Sequence, residues 1–389
     1  MSPLSSRTEN LKAPHVSMVA GETSGDLLAS LLIPEIKNRW PDIQMSGIGG
    51  PKMIAHGFQS KWPMEKLSVR GYVEVLKHYR ELVQIRTALL TQLIKYPPDL
   101  FIGIDAPDFN LDLAYELRKR RIPTIQFVCP SIWAWRADRI KKIKASIDHV
   151  LCIFPFETKI LAEAGISSTF VGHPLANLIP IQPDKNLARQ GLGLQTDDVV
   201  VVILPGSRRD EIHQMAPRFL KAIEILQKVQ PHIIPILPIA PGMEIFLTKY
   251  IKNFPLIRNL KIFNGKSHEC MAAADVAMVA SGTATLETAL FKCPMVISYA
   301  MPWLSWQITQ TKRLQPWVGL PNILCGNFVV PEFLQTDATP KAIANGILHW
   351  LDNPNAIAHL KDIFLKMHKD LRLDTPRVAR NAIEKFLER

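Results

Sequence analysis

No run of about 18 consecutive apolar residues occurs in the chain, so no segment is expected to span a bilayer. Cysteine is scarce. Cys129, Cys152, Cys270, Cys293 and Cys325 are five among 389 residues, odd in number and scattered mostly through apolar runs. That pattern excludes a disulfide framework and a zinc-ligand spacing, and it fits a reducing compartment. The polar start, MSPLSSRTENLKAP, lacks the apolar core of a secretory signal, so a cytoplasmic protein is expected. There is no P-loop signature, which argues against an NTPase. No long tract of Lys and Arg is present, so nucleic acid is not expected as a partner. The net charge is nevertheless +11. An excess of that sign favours a phosphorylated metabolite or an anionic membrane face.

What is present suffices for packed cores. Hydrophobic residues make up 47% of the chain. A chain of 389 residues exceeds one ordinary core, so two domains are expected. The stretch Val199–Glu211, VVVVILPGSRRDE, organises the reading. A continuous β-branched run ending at Leu204 reads as a strand buried on both faces, as in a parallel sheet. Pro205-Gly206 then delivers Ser207, Arg208 and Arg209 to the strand's carboxyl end, where open α/β sheets bind ligands. A glycine turn, a hydroxyl and an arginine fork suit a diphosphate. An ordinary loop with two solvated arginines is the plainer alternative.

The same device opens the chain. His15–Ala20 reads as a strand, Gly21-Glu22-Thr23-Ser24-Gly25-Asp26 as a tight turn, and Leu27–Arg39 as a helix capped by Ser24 or Asp26. Its likeness to a dinucleotide fingerprint is loose, and no ribose-binding acid follows at the usual distance, so NAD is disfavoured. Ile43–Ile48 is a strand, 62–72 is irregular, and a long amphipathic helix covers about Glu74–Lys95. Asp99–Ile104 is a strand with Asp105-Ala106-Pro107-Asp108-Phe109-Asn110 at its carboxyl end. Asp105 is the better candidate for a general base, and Asp108 reads as a helix cap. Cys129–Arg136 carries Trp133 and Trp135 before the basic positions Arg136, Arg139, Lys141, Lys142 and Lys144. That suits a membrane interface or sugar stacking, or simply a packed tryptophan pair beside a solvated face.

Further strands are expected at His149–Phe154 and Ser168–Val171, and Pro180–Asp198 reads as a polar linker between domains 1–180 and 181–389. In the second half, strands follow at Ile233–Leu237, Lys261–Phe263, Val276–Ala280 and Pro294–Ser298. Ser281-Gly282-Thr283-Ala284 opens a helix whose N–H groups face an anion. Glu287, about 1.5 turns further, could accept two hydrogen bonds from a ribose diol, or be a surface glutamate. Pro302–Leu320, with Trp303, Trp306, Lys312, Arg313 and Trp317, reads equally as an interfacial helix or a packed one with cationic ends. From Pro340 onward the chain reads as helical. The whole is α/β: two Rossmann-like domains facing a cleft in the GT-B manner, with a C-terminal helical segment.

Six motifs then carry a resemblance. GETSGD (Gly21–Asp26), GIDAPDFN (Gly103–Asn110), PSIWAWR (Pro130–Arg136), LPGSR (Leu204–Arg208), SGTATLE (Ser281–Glu287) and LPN (Leu320–Asn322) together resemble the lipid-A-disaccharide synthase family. The resemblance implies an inverting glycosyltransferase. It would move 2,3-diacylglucosamine from UDP to 2,3-diacylglucosamine 1-phosphate (lipid X), giving a β-1,6 disaccharide and UDP. It implies no cofactor and no metal, a peripheral position on the cytoplasmic face of the inner membrane of a Gram-negative bacterium, and room for a homodimer. Asp105 matches the catalytic aspartate. Arg208 matches the charge on the leaving diphosphate, helped by Ser207 and the amides of Ser281, Gly282, Thr283 and Ala284. Glu287 matches the ribose-binding acid, Asn322 falls beside the uridine diphosphate, and Gly21, Ser24 and Gly25 face the cleft. The rivals are another UDP-sugar enzyme of this architecture, a 2-epimerase or a peptidoglycan-precursor transferase, and a non-catalytic binding protein indifferent to Asp105.

Overall fold

The computed structural model describes residues 13–67, 72–134, 137–303, 306–307, 310 and 314–388. By contacts the chain forms two units, Met1–Gly172 with Leu373–Arg389, and His173–Arg372.

The first unit is built on β1 (His15–Ala20), β2 (Gln44–Ile48), β3 (Gln59–Trp62), β4 (Leu100–Ile104), β5 (Thr124–Phe127), β6 (His149–Cys152) and β7 (Ser168–Phe170). They lie in the order β3-β2-β1-β4-β5-β6-β7, every pair parallel. The second unit holds β8 (Val199–Leu204), β9 (Ile233–Ile239), β10 (Lys261–Asn264), β11 (Val276–Ala280), β12 (Met295–Tyr299) and β13 (Glu332–Leu334). Their order is β10-β9-β8-β11-β12-β13, again all parallel. Parallel strands need crossovers, and helices on both faces bury the sheet. Every residue of β4 and of β11 is accordingly buried.

In each sheet the order reverses beside the first strand, between β1 and β4 and between β8 and β11. Crossovers leave such a pair toward opposite faces, which opens a crevice at the carboxyl ends. Register decides which loops meet there. Ala20 pairs with Ile104, so the residues after them, Gly21 and Asp105, are brought level. Val279 pairs with Leu204, which sets Ser281 beside Gly206.

The two expected Rossmann-like halves are present, with differences. The expected boundary at 180/181 falls at Gly172/His173 by contacts, and the last helix, Thr375–Leu387, packs with the first unit. That helix is strongly amphipathic. Its Arg39 partner in the helix Thr23–Arg39 donates to Glu384 at 2.7 Å, and Phe386 lies against His149. The stretch read as linker contains a helix, Lys185–Gly191. Asp184 caps it by accepting from Leu187 N–H at 2.9 Å, and Arg189 is buried in ion pairing with Asp275 at 2.8 Å. β3 (QSKW) and β13 (EFL) are short edge strands, which strand periodicity passes over. Among the described residues no helix is long and apolar enough to cross a membrane.

Candidate active site

In the first unit the GETSGD turn closes around one carboxylate. Asp105 accepts from Gly21 N–H at 2.8 Å and from Glu22 N–H at 3.2 Å. Both amides lie just before the helix Thr23–Arg39, whose N-cap is Glu22 and which has no side-chain cap. Ser24 and Asp26 therefore do not cap it. Ser24 is exposed, and buried Asp26 caps a different helix, Pro51–Ala55, accepting from Lys52 and Met53 N–H at 3.0 Å each. The glycines permit the enclosure. A Cβ on Gly25 would lie 1.9 Å from Asp105 Oδ2, and one on Gly21 would lie 2.6 Å from Ala106 Cβ.

Burial pushes the Asp105 carboxyl up from 3.8 to about 7, against the pull of the Gly21 and Gly25 amides, which favour the ionised form. The side chain keeps an edge to solvent. A carboxyl poised near neutrality is suited to accepting a proton. Its backbone, φ +52, and that of Ala106, φ +37, are left-handed. The N-cap of the next helix, Pro107–Arg118, is Ala106 rather than Asp108. Asp108 instead pairs with Arg139 at 2.5 Å.

The expected basic cluster is partly engaged in such pairs. Lys142 bridges to Asp112, and Lys144 donates to Ala164 O at 2.9 Å. Trp133 is buried. Its Nε1–H donates to Glu157 at 3.0 Å and its ring meets Phe154 and Phe156 edge-on, so it is a packed residue. Trp135 and Arg136 lie outside the described residues.

In the second unit Arg208 is the N-cap of the helix Arg209–Val229. Gly206 turns the chain at φ +109, a conformation costly to residues with a Cβ. Glu211 braces the loop, accepting from Ser207 N–H at 3.2 Å and from Arg208 Nη1 at 2.7 Å. The Arg208 side chain stays half-exposed at 54%, available to an incoming anion. Across the crevice, Gly282 caps the helix Thr283–Leu290. Gly282 and Thr283 are exposed, Ser281 and Ala284 half-buried. The first-turn N–H groups of such a helix have no intrahelical acceptor. The Ser281 hydroxyl donates to Val318 O at 3.2 Å, and Thr285 joins Gly282 O and Leu320 N–H.

Glu287 reaches His268 Nε2 at 3.2 Å, and that contact holds the imidazole above its ordinary value. Asn322 departs from expectation. It is fully buried, donating to Val330 O and Glu332 and accepting from Val329 and Val330 N–H, all at 2.8–3.0 Å. From the helix Leu320–Cys325 its amide thus ties down the segment at Val329-Val330. Trp303 is 69% exposed, and Trp306 and Trp317 are half-buried. Leu304, Ile308, Lys312 and Arg313 lie outside the described residues. Sequence reading gave no site role to Glu211 or His268. Only Glu211, four residues from Ser207, left a local signal.

Over residues 16–386 the sequence matches the family described as lipid-A-disaccharide synthetase. It is 52% identical to a lipid-A-disaccharide synthase of Albidiferax ferrireducens, across 96% of this chain and 97% of that protein. Its fold is similar to that of a UDP-GlcNAc 2-epimerase from Neisseria meningitidis, solved bound to UDP-GlcNAc, with TM-score 0.61, 13% identity and coverage of 96% and 100%. It is also similar to the glycotransferase of kitacinnamycin, with TM-score 0.60, 15% identity and coverage of 97% and 100%. At such identities the likeness concerns the fold.

Proposed function

The chain belongs to the lipid-A-disaccharide synthase family, and from that premise we propose that Asp105 is the general base and Arg208 the charge that stabilises the leaving diphosphate. The family's reaction is a UDP-sugar glycosyl transfer that forms the lipid A disaccharide. On our reading the donor is UDP-2,3-diacylglucosamine and the acceptor 2,3-diacylglucosamine 1-phosphate. The acceptor's 6-hydroxyl oxygen attacks C1 of the donor. Its proton passes to Asp105, the C1–O bond to UDP breaks, and an α-linked donor becomes a β-linked product in one in-line step.

The observation that carries this reading is the Asp105 carboxyl, enclosed by Gly21 and Gly25 and poised at about 7. A group ionising there accepts a proton at neutral pH yet is basic enough to assist. Charge on the departing UDP grows as the bond breaks. The Arg208 guanidinium and the helix start at Ser281–Ala284 supply donors to it, the arrangement by which fixed dipoles lower a barrier. Glu287 takes the ribose diol. Ser207 adds a hydroxyl at the phosphates. Gly21, Ser24 and Gly25 border the acceptor.

The test mixes UDP-2,3-diacylglucosamine with the diacyl 1-phosphate and measures disaccharide and free UDP. Formation of both, lost in Asp105→Ala, is the expected result. Undiminished turnover in Asp105→Ala refutes the base, whereas nucleotide-sugar binding with no disaccharide formed by the wild type favours a non-catalytic binder. We also propose peripheral docking on anionic lipid at the inner face of the inner membrane, supported by exposed Trp303 and the net charge of +11. Co-sedimentation with anionic vesicles should weaken with salt and with Trp303→Ser. Binding indifferent to both refutes it.

A further inference from the structure

Two consecutive non-glycine residues, Asp105 and Ala106, hold left-handed backbone, with φ +52 and +37. Each costs about 1 kcal/mol or more, so the surroundings must enforce the turn. Two side-chain amides converge on it. Asn110 Nδ2 donates to the Asp105 carbonyl at 2.9 Å and Gln126 Nε2 to the same oxygen at 3.1 Å. Asn110 also reaches Val19 O at 3.2 Å and Ile104 O at 3.3 Å. Gln126 also reaches Phe127 O at 3.3 Å and Val128 O at 3.4 Å. Both nitrogens thus face only carbonyls, at the carboxyl ends of β1, β4 and β5. Gly103 leaves the room, since a Cβ there would lie 2.7 Å from Gln126 Oε1 and 2.9 Å from Asn110 Cβ.

Both residues are fully buried, and both amide oxygens find no partner among the described residues. An unpaired buried oxygen costs about 1–3 kcal/mol. For stability alone, an apolar side chain of the same size would serve better. Unsatisfied polar groups retained in a core mark sites where geometry matters more than stability.

We infer that Asn110 and Gln126 are positioning residues of the transfer reaction: together they lock the Asp105–Ala106 turn and so aim the Asp105 carboxyl between Gly21 and Gly25. Neither touches substrate. The inference rests on Asp105 being the base, and its structural half can be read without that premise. Losing one clamp lets the turn relax toward ordinary backbone, which swings the carboxyl toward water.

The experiment compares the full-length enzyme with Gln126→Met, which keeps the side-chain length and removes both the donor and the orphaned oxygen. Carboxyl-carbon NMR, with Asp105→Asn identifying the signal, follows Asp105 itself. In Gln126→Met its titration should fall from about 7 toward the ordinary carboxyl range. Turnover should drop on the order of 100-fold, as for a group displaced by about 1 Å, with KM for the UDP-sugar changed less than about twofold. The urea midpoint should stay or rise. An unmoved titration with wild-type kcat overturns the inference, as does a lowered midpoint with wild-type kcat per folded molecule. Should Gln126→Met not fold, Asn110→Ser is judged by the same readouts. If Asp105→Ala retains turnover while the titration still moves in Gln126→Met, the base assignment fails and the clamp on the turn stands.

Discussion

The perturbed Asp105 carboxyl should leave a mark on stability that its neutral isostere erases. In the unfolded chain it ionises near 3.8, in the native protein near 7. A raised carboxyl contributes stability that is fully present below pH 3.8 and is lost as pH rises through 7. Between those values the native state holds a proton that the unfolded state has released. Stability therefore falls by about 1.4 kcal/mol per pH unit, to a total of about 4 kcal/mol. The solvent-facing edge of the carboxylate screens part of this, so about 2–4 kcal/mol is the expected range. Asp105→Asn keeps the shape and an acceptor for Gly21 N–H but cannot ionise. Its stability relative to wild type should therefore grow from pH 4 to pH 8 by that amount and level off above. Hydrogen exchange at β1 and β4 amides, measured across that range, reports the unit that holds the turn. Parallel pH profiles for the two proteins would refute the argument that burial raises this group. In the same enzyme kcat/KM should climb with pH through about 7, since the base must be ionised to act.

Gly25→Ala puts a methyl 1.9 Å from Asp105 Oδ2. Turnover should fall at least about 100-fold while UDP affinity, which we propose resides in the other unit, stays unchanged by calorimetry. Arg208→Ala should lose on the order of 10²–10³ in kcat, as when one charge-stabilising donor is removed. Rates equal to wild type with the acylated UDP-sugar would remove Arg208 from the mechanism. Contact with Glu287 raises His268, so the contact is an ion pair in acid and a hydrogen bond from a neutral imidazole once pH has risen through the imidazole's elevated range. UDP binding should weaken about threefold to tenfold over that interval, the effect of about 1 kcal/mol. His268→Gln should flatten the dependence, and a flat wild-type profile would count against Glu287 gripping the ribose.

Chain order and hydrophobic periodicity alone carried the local features. Continuous apolar runs such as Val199–Leu204 and Leu100–Ile104 read as strands buried on both faces, and the turns after them, Pro205-Gly206 and Asp105-Ala106, put Arg208 and Asp105 at carboxyl ends. Motif chemistry was legible for the same reason: the residues of each loop are neighbours in the chain. Tertiary structure alone decided the rest, because burial and pairing depend on register and on partners far along the chain. The Asp105 carboxyl is buried and held near neutrality only because Gly21 and Gly25, 84 and 80 residues before it, wrap it. Gln126, with Thr124 one of two polar residues in β5, reaches the Asp105 turn only because β5 lies beside β4. The motif around Asn322 says nothing of the Val330 and Glu332 contacts that bury it, which come from eight and ten residues further on. Thr375–Leu387 reads as the end of the second half, and joins the first unit because the helix Thr23–Arg39 covers its apolar face.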